Sequence, residues 1–79
     1  MKYLGVYDDG GGIKFKIHQN FEDAKNPYHP PTIILIGKIV FEVPGLTKEE
    51  LQEIIDNQKN PLEHIKNKYK EVYSEGEVF

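Results

Sequence analysis

Apolar and charged side chains alternate strictly over Ile13-Lys14-Phe15-Lys16-Ile17-His18. A period of two is the signature of a half-buried strand. It puts Ile13, Phe15 and Ile17 on a core face and Lys14, Lys16 and His18 on the other. Upstream, Lys2 to Tyr7 is rich in Tyr, Leu and Val and reads as a partner strand. Between them lies Asp8-Asp9-Gly10-Gly11-Gly12. Asp-Gly and Gly-Gly pairs accept positive φ without a Cβ penalty, so the two strands are expected to form a hairpin.

Asn20 to Pro31 has no sustained period. Phe21 to Lys25 can make one helical turn, and the prolines at 27, 30 and 31 bar a longer helix. Thr32 to Val43 is the most apolar run. It can be one long strand bent at Gly37, or a tight hairpin with Gly37-Lys38 as a type II′ turn. Strand lengths of ~5–6 residues favour the hairpin.

Pro44-Gly45 ends that run. Thr47 and Glu50 then make a capping box, with Leu46 and Leu51 in the staple positions, and a helix is predicted to about Asn57. Its inner stripe is Leu51, Ile54 and Ile55, and its outer face carries Glu49, Glu53 and Asp56. A second helix is predicted from Asn60-Pro61, where Asn caps and Pro takes the first position. Leu62, Ile65, Tyr69, Val72 and Tyr73 recur at helical spacing and carry this helix to a stop at Gly76. The expected fold class is therefore α+β. A small antiparallel sheet of three or four strands is followed by two C-terminal helices packed on one face, in a single domain over residues 1–79.

Composition narrows the function classes. The 79 residues hold no cysteine, no tryptophan and one methionine, so neither a disulfide framework nor a cysteine zinc site is expected. No apolar run approaches the ~20 residues that span a bilayer, and Asp8 and Asp9 come too soon for a signal peptide. No membrane partner is expected, and the cytoplasm is the expected location. All ten basic residues are lysine, and the net charge is -3. Lysine codons are AT-rich, which points to a low-GC microbe or its virus. Arginine is the preferred contact for phosphate and guanine, so its absence argues against tight sequence-specific nucleic-acid binding.

Candidate chemistry is sparse. The hairpin over residues 2–18, strand–Asp–glycine turn–strand, resembles the phosphate-binding first hairpin of sugar-kinase and actin-like ATPases. The chain is far too short for the rest of that fold. A strand rather than a helix follows the glycines, so no helix N-terminus is predicted to face a phosphate. The glycine-rich hairpin with Gly45-Leu46-Thr47-Lys48-Glu49-Glu50 resembles in outline small antitoxins of the HicB type, but the intervening strand departs from their pattern and no membership follows. The three histidines, His18, His29 and His64, fall on separate elements without ligand spacing. No metal and no cofactor are expected, and all three are expected at the surface. Ser74 is the lone serine, near a predicted helix end, there is no cysteine, and the paired carboxylates Asp8/Asp9 and Glu49/Glu50/Glu53 look solvent-facing, so no catalytic residue is expected.

Two surfaces remain. Tyr3, Tyr7, Lys14, Lys16 and His18 share one face of the predicted hairpin, where aromatics among lysines could stack bases and meet phosphates of a single strand. On the apolar run, Ile34 and Ile36 emerge on the face away from the helices, and such patches mark association surfaces. The leading expectation is a small non-enzymatic protein that binds another protein as inhibitor, adaptor or accessory subunit. Ile34 and Ile36 are its contact residues, with the acidic face of Glu49, Glu53 and Asp56 as a second contact. A homodimer is a further expectation, because a core this small gains from association. A single-stranded nucleic-acid-binding module is the second reading.

Overall fold

A computed structural model describes residues 1–28 and 34–78 of the chain. Four strands form one antiparallel sheet. They are β1 (Tyr3–Asp8), β2 (Ile13–His18), β3 (Gly37–Glu42) and β4 (Lys70–Gly76). Their order is β2-β1-β3-β4, so the first strand lies inside the sheet and β2 and β4 are its edges. Helices α1 (Phe21–Lys25), α2 (Lys48–Asn57) and α3 (Pro61–Lys68) complete the fold. It is an α+β domain, as the periodicities predict. Among the described residues, no helix is long and apolar enough to cross a membrane.

The hairpin of β1 and β2 forms in the register Tyr3↔His18 to Asp8↔Ile13. Its tip is closed by Asp8 Oδ1, which accepts from Gly10 N at 2.9 Å, and by the Lys14–Asp9 ion pair at 2.6 Å. Leu4, Val6, Ile39 and Phe41 point to one face, with Ile13, Phe15 and Ile17 half-buried beside them. Leu46, Leu51, Leu62 and Ile65 close this core from α2, α3 and the turn before them. The capping box is present, with Thr47 Oγ1 accepting from Glu50 N at 3.1 Å. Asn60 Oδ1 caps α3 through Glu63 N at 3.2 Å.

Three expectations are corrected. The second helix does not run to Gly76. It ends at Lys68, Tyr69 is already extended, and residues 70–76 pair with β3. Without β4 the outward backbone groups of β3 would have no partner, and Val72 and Tyr73 favour a strand. A register shift between Val40 and Phe41 absorbs the extra residue Val72 as a bulge.

Over its described residues, 34–43, the apolar run makes neither a long bent strand nor a hairpin at Gly37-Lys38. Gly37 begins β3, and residues 34–36 lead into it outside any strand. Gly37 faces Gly76, which has φ +72°. A Cβ on either would overlap backbone, Glu77 for Gly37 and Ile36 for Gly76. The glycine serves a close approach between two chain segments, not a turn.

The third correction concerns the opposite sheet face. α1, which follows β2, packs there against β1, β2 and β3, and Tyr7 and His18 are only 2% and 8% exposed. His18 is thus not a surface histidine. His64 is half-buried, and His29 lies outside the described residues.

Candidate functional site

Two clusters of chemistry lie on the α1 face. The first is buried. The Tyr7 hydroxyl donates to Ala24 O at 2.7 Å and lies 2.8 Å from His18 Nε2. The hydroxyl proton is committed to the carbonyl, so Nε2 carries a proton and donates to the phenol oxygen. Gly5 makes room for this. A Cβ there would overlap the Tyr7 ring, which folds back across the strand. Burial, and secondarily Tyr28, push the Tyr7 phenol well above its ordinary range. Burial and then the Lys16 charge hold the His18 imidazole below its ordinary 6.5, with Asp23 opposing. A neutral phenol bound to a carbonyl is not a nucleophile, and a histidine donating to it is not its base. The cluster ties α1 to the sheet.

The second cluster is open. Ile36 N donates to Asp8 O at 2.7 Å, and Ile36 O accepts from Glu77 N at 3.4 Å. These bonds fasten the segment between β1 and the end of β4. The side chains of Ile34 and Ile36 are left outside, 91% and 54% exposed. Beside them a groove of about 330 Å³ runs between the end of α1 and the start of β3. Pro27, Tyr28, Leu35 and Ile36 wall its apolar part. Lys25, Lys38 and Glu75 stand in the same lining.

Lys25 Nζ lies 5.3 Å from the Phe21 ring centroid and 5.1 Å from that of Tyr73. Lys38 Nζ is 5.7 Å from the Tyr73 centroid, donates to Lys25 O at 2.7 Å, and is 3.7 Å from Glu75. The Tyr73 hydroxyl donates to Glu75. That bond, then the Lys38 ammonium, holds the Glu75 carboxyl below its ordinary range, and Lys25 adds to the effect.

The sequence-predicted residues are distributed as follows. Tyr3, Tyr7, Lys14, Lys16 and His18 do share one face, but α1 covers the aromatic part. Tyr3 packs on Phe21 at 5.6 Å between centroids, and Tyr7 and His18 are buried. Lys14 and Lys16 remain exposed. Ile34 and Ile36 are both exposed, on the segment before β3 rather than on a sheet face. Glu49, Glu53 and Asp56 are exposed on α2, and Asp56 accepts from Gln52 at 2.9 Å. They do not adjoin the groove lining. Ser74 is exposed on β4. Among the described residues, no three His, Asp or Glu side chains converge on a metal position.

Sequence reasoning missed Lys25, Tyr28, Lys38 and Tyr73. Tyr73 had been placed on a helix, and no local pattern announces its contact with Phe21, whose ring lies 6.2 Å away. No protein-family model matches the chain, and neither a curated protein nor a solved structure matches it.

Proposed function

We propose that the protein is a small non-enzymatic binding module that acts on another protein as inhibitor, adaptor or accessory subunit, and that it comes from a low-GC microbe or its virus. One observation carries this reading. Ile34 and Ile36 stand in solvent beside an apolar groove, although the chain is short of core. Exposed apolar patches next to a formed groove are the ordinary mark of an association surface. The chemistry of the rest of the face agrees. The buried His18 imidazole and Tyr7 phenol hold each other in a structural bond, and Ser74, the lone serine of the sequence, stands exposed on β4.

The test is affinity capture from the native host, run in parallel with the wild type and an Ile34→Ser/Ile36→Ser variant. The expected result is a partner retained by the first and lost by the second, with direct binding then confirmed between purified proteins. An identical captured set from both chains, or turnover of a small substrate by the pure protein, overturns the proposal. Sedimentation over a concentration series separates a hetero-partner from a homodimer. If the same double variant abolishes self-association, the partner is a second copy.

A further inference from the structure

Resting on that reading, we infer that the groove between α1 and the β3–β4 junction receives an extended segment of the partner in which a carboxylate side chain adjoins an apolar one. Charge decides the first half of this chemistry. At one end of the groove two ammonium groups, Lys25 and Lys38, face a single carboxylate, Glu75. That carboxylate is already engaged by the Tyr73 hydroxyl and by Lys38. Lys25 has no carboxylate within ion-pair distance among the described residues, and among the described residues that line the groove the ammonium groups outnumber the carboxylates by one.

The cations are also held in place. Lys38 is tethered to the Lys25 carbonyl, and Lys25 lies over two aromatic rings. Neither must give up much rotamer freedom to meet an anion. An incoming carboxylate completes a charge-assisted pair at a site partly screened from water by Phe21 and Tyr73.

Shape decides the second half. Away from the lysines the walls are Pro27, Tyr28, Leu35 and Ile36. At about 330 Å³ the space is at the low end of ligand pockets, which run ~300–1,000 Å³. It suits a few side chains better than a cofactor. Ile36, which lines it, is itself more than half exposed, so an occupant can reach from the groove onto the surface. A peptide segment meets all of these conditions. A phosphate or a nucleic-acid strand would meet only the charge and would leave the apolar walls wet.

A random heptapeptide display library panned on the immobilised full chain tests this directly. Selected peptides are expected to share an Asp or Glu next to an aliphatic or aromatic residue. The best of them, resynthesised, should bind about tenfold more weakly to Lys25→Gln, the scale of one lost charge-assisted contact at a half-open site. Binding should weaken with salt, be lowered by Ile36→Ser, and be unchanged by Lys66→Gln on the far side of the fold. Amide shifts should move at residues 25–28 and 35–38. Amide spectra of each variant establish that it is folded.

A library with no selected peptides, selected peptides without an acidic residue, binding indifferent to Lys25→Gln, or shifts confined to other surfaces each overturn the inference. Concentration-dependent shifts at the groove in the free protein would do so too, assigning the groove to a second copy. These outcomes are separate from failure of the binding-module reading. Host capture that depends on Ile34 and Ile36 survives a failed panning, and only the chemistry assigned to the groove then falls.

Discussion

Tyr7 is the residue on which the second sheet face turns. It is the largest fully buried side chain among the described residues, and its hydroxyl joins β1, β2 and α1 through Ala24 and His18. Tyr7→Phe removes one bond partner from each and leaves a buried carbonyl unsatisfied. Chemical unfolding should register a loss of about 1–3 kcal/mol, and amides of α1 should exchange faster with solvent. His18 makes the same lock sensitive to acid. Its pKa is depressed in the fold, so the unfolded chain binds the proton more readily. Its contribution is therefore complete above the unfolded value of about 6.5 and declines as pH falls below it. Urea melts from about pH 7.5 down to about pH 5 should show wild type losing more stability than His18→Gln. A slope equal in both chains would mean that other groups carry the acid response. Gly5→Ala should act on the same lock from below, since the added methyl occupies the place of the Tyr7 ring. Nothing in the alternation of Tyr3, Gly5 and Tyr7 announces that they lie under a helix. The pattern reports which side a residue points to, and not what lies there.

Among the elements, α2 was the most legible, because its determinants are local. Leu46, Thr47, Glu50 and Leu51 lie within six consecutive residues and need no distant partner. Thr47→Ala is expected to cost about 0.5–2 kcal/mol in guanidinium unfolding, the range for losing a side-chain N-cap. The first hairpin was legible for the same reason, since its turn and its alternation adjoin. β4 was not. Tyr69, Val72 and Tyr73 fit a helical stripe as a continuation of Leu62 and Ile65, and the same residues fit a strand. What chose the strand was the open edge of β3, some thirty residues away in the chain. The bond between those two strands is vulnerable at their glycines. Gly76→Ala should destabilise by at least about 1–3 kcal/mol, the cost of a left-handed non-glycine residue, because overlap with Ile36 adds to the strain. In hydrogen exchange, residues 70–76 should lose protection before β1 does. Uniform loss across the sheet would show that β4 is not a separable unit.

For the whole molecule, stability and association should come apart at Ile34 and Ile36. Their side chains stand in solvent, so Ile34→Ser should change unfolding free energy by no more than about 0.5 kcal/mol, while the proposed partner is lost. A large destabilisation would mean that the segment belongs to the core and not to an interface. The amino-acid sequence by itself determined the α+β class, the first hairpin and the start of both longer helices. Each of these follows from contacts between near neighbours or from a side-chain period, and both are written in consecutive residues. Tertiary structure alone decided that α1 closes the second face, that β4 completes the sheet, and that Lys25, Lys38 and Tyr73 meet at one groove. Those outcomes depend on which unpaired edge and which uncovered face remain once the local elements have formed, and that is a property of the assembled chain.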